Sequence, residues 1–199
     1  EMLSGISHDL RTPLTRLKLQ LAMMEKKETA KKMAEDIDEM EKMLNDYLQY
    51  AKAQGEEKSV KINLNNLIDS ILKNYESNRY NFFPKDTIEI DGRINLVKRC
   101  ISNVVVNGLT YGDKVFIDIK KSINSAIITI EDDGPGIPKE EYANVFKPFY
   151  RVDKSRGLNK SGVGLGLSVA QDIVKSHGGN ISLSESQHKG LLVKISFPF

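Results

Sequence analysis

The chain has 199 residues, with 29 Lys and Arg against 27 Asp and Glu for a net charge of +2, one cysteine and no tryptophan. That is ordinary globular composition with room for one or two domains, and so even a balance leaves no electrostatic argument for nucleic acid. Cys100, among the apolar Val97, Ile101 and Val104, excludes an internal disulfide and reads as a buried packing thiol, which suits a reducing compartment.

Taken in chain order, Leu3, Leu10, Leu14, Leu17, Leu21 and Met24 follow a three-and-four spacing that predicts a first helix over residues 1 to about 26. Met33, Ile37, Met40, Leu44, Tyr47 and Ala51 repeat it in a second helix, with Glu25-Lys26-Lys27-Glu28 as the turn. Lys31, Lys32, Glu35, Asp36, Asp38, Glu39 and Glu41 coat the outer side of that helix and read as a solvated face. Two helices cannot cover a two-sided apolar seam, so the expectation is an all-α hairpin that forms a homodimeric four-helix bundle. The chain opens in the middle of helical periodicity, without a signal peptide or an apolar run long enough to span a bilayer. It is therefore expected to be a fragment of a longer protein, in contact with a membrane only through a missing N-terminal region.

Within the first helix lies Ser7-His8-Asp9-Leu10-Arg11-Thr12-Pro13. With Leu10 and Leu17 on one seam row and Leu14 and Leu21 on the other, His8 falls beside the seam and should face water. Asp9 is adjacent and Thr12 lies one turn on, while Pro13 crowds the carbonyl of Asp9 and predicts a bend. Alone, the cluster reads as a surface histidine beside charge.

Ala53 to Ser59 breaks the pattern with Gly and charge, which divides the chain into a helical domain over 1–55, a linker over 56–61 and a second domain over 62–199. There a strand around Lys61-Ile62 precedes a helix on Leu64, Leu67, Ile68, Ile71 and Leu72, capped by Asn63 or Asn66. Further helices are expected from Asn95 to Leu109 and from Gly164 to Ser176, the latter stopped by His177-Gly178-Gly179. Strands at Thr87–Ile90, around Val115, Ile117 and Ile119, at Ala126–Glu131, at Asn180–Ser184 and over Leu191–Phe197 make a sheet of about five, with Ala126–Glu131 central and a hairpin at Ser122–Ser125. Three helices on one face give an α/β two-layer sandwich.

Several stretches of this domain carry chemistry. Asn103 and Asn107 share one helix face. Asp132-Asp133-Gly134-Pro135-Gly136 ends the central strand, where glycines admit a flat ligand to the backbone and a carboxylate can accept from an exocyclic amine such as that of adenine. Spacing does not decide between Asp132 and Asp133. Ile137 to Ser161 is long, irregular and basic, with Phe146, Phe149, Arg151, Lys154, Arg156 and Lys160, as suits a flap over phosphates. Gly162-Val163-Gly164-Leu165-Gly166-Leu167 then opens a helix whose N-terminal N–H groups favour an anion. No dinucleotide fingerprint and no Gly-Lys-Ser/Thr phosphate loop is present. His177 and His188 read as a cap and a surface residue.

In order, SHDLRTPL, NVVVNGLTYG, EDDGPGIP, VFKPFYR and SGVGLGL resemble the H, N, G1, F and G2 boxes of bacterial two-component sensor histidine kinases, over nearly the whole chain. SHDLRTPLTR with the contiguous DDGPGIP is especially similar to the osmosensing, porin-controlling branch of that family. The resemblance implies a dimerisation and histidine phosphotransfer domain, then a catalytic domain of the gyrase, Hsp90, histidine kinase and MutL ATPase type that binds ATP and Mg²⁺. It implies His8 as phosphoacceptor, Asp9 as the acid beside it, and Thr12 as a helper in dephosphorylating a response regulator receiver domain. Asn107 matches the magnesium ligand, Asn103 its companion, and Asp132 the adenine-binding carboxylate. Tyr111 and the lid cations Arg151, Lys154 and Arg156 belong to the same nucleotide site, with Gly134, Gly136, Gly162, Gly164, Leu165 and Gly166 as hinges and phosphate cradle. The cytoplasmic side of a protein anchored in an inner membrane is the implied location.

Related ATPases place a water-activating Glu one turn before the metal-binding Asn, where this chain has Asn103, so hydrolysis should be slow. A hydrolytic ATPase and a non-catalytic dimeric scaffold are the rival readings. The chain also departs from the family pattern. Thr110 stands in place of the usual Lys or Arg before Tyr111, Gly108 in place of a usual Ala, which should loosen that helix, and Val163 in place of a usual Thr.

Overall fold

The computed structural model describes residues 13–23, 28–31, 33–35, 37–38, 40–41, 57–152 and 164–199. They belong to two compact units, Glu1–Glu56 and Glu57–Phe199. In the first unit, residues 13–22 form α1, and the described residues between 28 and 41 are helical as α2. Leu14 and Leu21 of α1 pack with Ala30 and Ile37 of α2 as a buried cluster. Both pairs are seven residues apart, the repeat that keeps one row facing a partner helix. The other row is left open in the single chain: Leu17, Met33 and Met40 are 46%, 45% and 50% exposed. The outer face of α2 is more than solvated charge, because Lys18 Nζ on α1 bridges Asp38 Oδ1 at 2.6 Å and Glu41 Oε2 at 2.7 Å. His8, Asp9 and Thr12, together with the bend expected at Pro13, lie outside the described residues or depend on them.

The second unit runs β1 (Val60–Asn63), α3 (Leu64–Leu72), β2 (Tyr80–Phe82), β3 (Glu89–Gly92), α4 (Ile94–Tyr111), β4 (Val115–Lys121), β5 (Ser125–Asp132), α5 (Gly166–Ser176), β6 (Asn180–Glu185) and β7 (Leu191–Pro198). A five-stranded sheet has the order β2-β4-β5-β7-β6, so β5 is indeed central, paired antiparallel to β4 and β7 with Ile130 opposite Ile117 and Ile128 opposite Ile195. Alternation decides the buried side: Val115, Ile117, Ile119, Ala126, Ile128, Ile130, Val193, Ile195 and Phe197 point under the helices. α3, α4 and α5 supply Leu64, Leu67, Ile68, Leu96, Val97, Cys100, Ile101, Val104, Ala170, Ile173 and Val174 to the same core. The thiol of Cys100 is sealed there, its pKa pushed up to about 12 by desolvation.

The sheet corrects one expectation. The strand at Thr87–Ile90 does not join it; β3 pairs antiparallel with β1 in a separate two-stranded ribbon, and the fifth strand is Tyr80–Phe82, parallel to β4. The stretch 56–61 is likewise not free chain throughout, since Val60 and Lys61 sit in β1 and Glu57 Oε1 accepts the N–H of Asn95 in the first turn of α4 at 2.7 Å. Asn63, not Asn66, caps α3: its Oδ1 accepts from Asn66 N at 3.0 Å. No described helix is long and apolar enough to cross a membrane.

Candidate nucleotide site

Three consecutive carboxylates at the end of β5 assemble the site, each tying down a different segment. Glu131 points to the open side of the sheet, and its Oε2 accepts from Ser186 Oγ at 2.9 Å and Gln187 N at 3.1 Å, which holds the β6–β7 turn. Asp133 Oδ1 accepts from Asp113 N at 2.8 Å and Lys114 N at 2.9 Å, fixing the loop between α4 and β4. Asp132 turns inward, only 6% exposed, and its Oδ1 accepts from Gly134 N at 2.9 Å and Leu191 N at 3.2 Å. The two aspartates that spacing could not separate thus differ: Asp133 is a loop anchor and Asp132 the buried acceptor.

The second oxygen of Asp132, Oδ2, carries no hydrogen bond among the described residues. Burial raises the Asp132 carboxyl above its ordinary range, and the Asp133 charge adds to this, against the opposing pull of the two backbone N–H groups. A buried carboxylate with one oxygen anchored and the other open is suited to accept an N–H from a bound molecule. The β6–β7 turn reaches it because position 190 has no side chain: a Cβ there would lie 2.1 Å from Asp132 Oδ1 and 2.2 Å from Asp132 O.

Helix α4 passes beside this carboxylate. Gly108, expected to loosen the helix, sits inside its unbroken span and instead makes room, since a Cβ would come within 2.6 Å of Val115 Cγ1. The C-terminal carbonyls are held by Arg79, whose Nη2 donates to Leu109 O at 3.1 Å and Gly112 O at 3.3 Å while Nε donates to Asp113 O at 3.0 Å. Thr110 spends its hydroxyl on Val106 O at 2.7 Å. Tyr111 closes the helix, with its carbonyl 3.0 Å from where a Cβ on Gly134 would sit.

Asn103 and Asn107 do share one side of α4, yet they do different things. Asn103 Nδ2 donates to Gly166 O at 3.2 Å, which docks the start of α5 onto α4. Asn107 is half-buried and has no hydrogen bond among the described residues. α5 begins at Gly166 with Leu165 before it and no side-chain cap, so its first-turn N–H groups are left for other acceptors. Gly164 and Phe149 both hold positive φ, +75° and +64°, and Phe149 N donates to Gly164 O at 3.0 Å. Gly136 also has positive φ, against the carbonyls of Lys189 and Gly190. Arg151 follows this junction at the edge of the described chain, whereas Lys154, Arg156 and Gly162 lie outside the described residues.

Comparison with known proteins gives the arrangement its family. The family described as histidine kinase-, DNA gyrase B-, and HSP90-like ATPase matches residues 92–199, and the His Kinase A (phospho-acceptor) domain matches residues 1–56. The chain belongs to the histidine kinase ATPases. Among relatives of this kinase chain, sensor histidine kinase GtrS of Pseudomonas aeruginosa is 33% identical over 200 residues, covering 100% of this chain and 41% of that protein, so the chain spans about two fifths of it. The solved histidine kinase domain of the E. coli osmosensor EnvZ is 31% identical, with 72% of this chain and 91% of that one covered at a TM-score of 0.55. Full-length ShkA, in complex with AMPPNP, shares the fold of the kinase core at a TM-score of 0.75 and 18% identity, over 100% of this chain and 46% of that one. The resemblance read from the sequence thus stands: the chain is similar to sensor histidine kinases, the osmosensor's kinase domain among them.

Neither remaining histidine joins the site. His177 Nε2 accepts from Arg93 N at 3.1 Å and Nδ1 faces Ile173 O at 2.8 Å, which fixes a neutral ring with its proton on Nδ1 and ties the end of α5 to the start of α4. Burial lowers its pKa. His188 is more than a surface residue: it stacks on Phe116 at 3.6 Å between ring centroids. Glu131, Gly190 and Arg79 were not legible as site-builders, because each acts on a segment twenty or more residues away and leaves no local pattern.

Proposed function

We propose that this chain is the kinase core of a sensor histidine kinase that binds ATP with Mg²⁺ in its second unit, transfers the γ-phosphoryl group to His8, and passes it to an aspartate of a response regulator receiver domain. The observation that carries the nucleotide reading is Asp132, a buried carboxylate with Oδ1 held by two backbone N–H groups and Oδ2 open at a glycine-rich turn. It takes the adenine amine, with Gly134 and Gly136 admitting the ring. The uncapped start of α5 at Leu165 and Gly166 takes phosphate oxygens, with Gly164 as its hinge, and Arg151, Lys154, Arg156 and Gly162 complete that side.

The donor set fits Mg²⁺. Among the described residues there is no cluster of three or more His, Cys, Asp or Glu side chains, so the protein offers no cage of its own; it offers the uncommitted amide oxygen of Asn107. A cation that keeps most of its waters and takes its other ligands from nucleotide phosphates needs no more. When bound, Mg²⁺ neutralises phosphate charge during transfer. Asn103 positions α5 and has no carboxylate with which to activate water, which favours transfer over hydrolysis. In the first unit, Asp9 accepts the proton on one ring nitrogen of His8; the other nitrogen bonds to the γ-phosphorus as the bond to the leaving ADP oxygen breaks. Asp9 and Thr12 then place water for removal of the phosphoryl group from the regulator.

A homodimer is supported by the open row of Leu17, Met33 and Met40, which repeats the spacing of the covered row. The domain works on the cytoplasmic side of a membrane. The deciding experiment incubates the chain with γ-labelled ATP and Mg²⁺ beside His8→Gln. Acid-labile, alkali-stable label that disappears in the variant is expected; label that persists, or release of phosphate without any labelled protein, would overturn the proposal.

A further inference from the structure

The segment between Gly136 and the described end at Val152 contains a polar cluster that the nucleotide site does not use. Tyr150 Oη donates to Glu141 Oε2 at 2.6 Å, Asn144 Nδ2 donates to the same oxygen at 3.0 Å, and Lys147 Nζ donates to Asn144 Oδ1 at 2.8 Å. The Glu141 carboxyl is held below its ordinary range and the Tyr150 phenol above it, the Glu141–Tyr150 hydrogen bond being the largest cause of both. Glu141 ends a 3₁₀ turn over Lys139–Glu141, and Asn144–Phe146 forms a second that packs on α5 through the buried Val145. The cluster therefore fastens the end of the first turn to Tyr150, beside the backbone bond from Tyr150 N to Lys147 O at 3.2 Å.

Tyr150 is one residue beyond Phe149, whose N–H bonds Gly164 O, and the carbonyl of Tyr150 lies 2.8 Å from where a Cβ on Gly164 would sit. Gly164 is two residues before the first turn of α5. The path from Glu141 to the helix start thus runs through the Tyr150 side chain, its chain neighbour Phe149 and the hydrogen bond from Phe149 N to Gly164 O.

We infer that Glu141, acting through the Tyr150 hydroxyl, is a positioning residue that sets the α5 N-terminus for the nucleotide's β- and γ-phosphates and leaves the adenine contact at Asp132 alone. This rests on the nucleotide reading above. Because the phosphates are held by backbone N–H groups, whose direction cannot be adjusted by side-chain rotation, a shift at the helix start is felt in phosphate affinity first.

The test measures equilibrium affinity of the full chain for ATP and for AMP, both with Mg²⁺, together with the melting temperature. Tyr150→Phe and Glu141→Ala should each weaken ATP by about three- to tenfold. AMP affinity should change less than about twofold, and the double variant should bind ATP no worse than either single one, as partners in one contact do. Glu141→Gln keeps an oxygen that accepts from the Tyr150 hydroxyl and should retain most of the ATP affinity. ATP affinity unchanged in both single variants, or ATP and AMP falling together with the melting temperature, or additive losses in the double variant, would each overturn the inference while the nucleotide reading stands. A wild-type chain that binds neither nucleotide would overturn both.

Discussion

Asp132 is buried and His177 half-buried, and their proton affinities are displaced in opposite directions with opposite consequences. The folded Asp132 carboxyl holds its proton to higher pH than the unfolded one, whose ordinary value is about 3.9. Stability therefore falls as pH rises through that window, and once ionised the residue costs the fold something that ligand binding recovers. Asp132→Asn keeps an oxygen for Gly134 N and Leu191 N but puts an NH₂ where Oδ2 stands. At pH 7 the variant should melt no lower than wild type, while ATP affinity falls by at least about tenfold, the size of a lost hydrogen bond to a charged group. Equal melting with undiminished binding would remove Asp132 from the site. For His177 the folded pKa is lowered, so the unfolded chain takes up the proton first: its contribution is whole above the ordinary imidazole value of about 6.5 and is lost as pH falls below it. Melting temperature should drop between pH 7 and pH 5.5, and drop less in His177→Asn, which can still donate to Ile173 O.

Among elements, the ones with an internal period were legible and the ones defined by a distant partner were not. Val115, Ile117 and Ile119 alternate along β4, and Leu191 to Phe197 alternate along β7, so both strands and their buried faces could be read directly. Tyr80-Asn81-Phe82 is three residues with no alternation to count, and it becomes a strand only by lying parallel to Val115–Ile117. Likewise Glu89–Gly92 carries a strand pattern, but nothing local says that its partner is Val60–Asn63 and not the main sheet. The site divides in the same way. Asp132, Asn107 and the α5 glycines stood out by motif, whereas the β6–β7 turn that closes over Asp132 is fixed by Glu131, which stands in the EDDGPGIP stretch with nothing local to show its distant partner, and is permitted by Gly190, which belongs to no motif. Gly190→Ala places a methyl against Asp132 Oδ1 and O with the strand on one side and the turn on the other. Overpacking of that kind should cost about 2–3 kcal/mol in chemical denaturation. It should also abolish nucleotide binding at temperatures where the domain remains folded; a stable variant that binds ATP normally would mean the turn is not part of the site.

On the scale of the whole chain, the proposed reaction passes one phosphoryl group between two units that have separate cores. The second unit has its own sheet, three packed helices and a first helix capped from within by Asn63, while Glu57 caps α4 from the first residue after the division. Residues 57–199 should therefore fold and bind ATP as the full chain does, and a fragment starting at residue 62 should melt lower, having lost Glu57 and half of β1. Neither fragment contains His8, so neither should acquire label. The 57–199 fragment, added to full-length Asp132→Asn, should label His8 of that chain with an unchanged dependence on ATP concentration. The rate should nonetheless be lower, because a covalent tether supplies an effective concentration of about millimolar. At micromolar fragment the initial rate should accordingly be roughly 10²–10³-fold below that of the intact chain, and should rise linearly with fragment concentration. A rate independent of added fragment would mean that the tether does more than hold the units near each other.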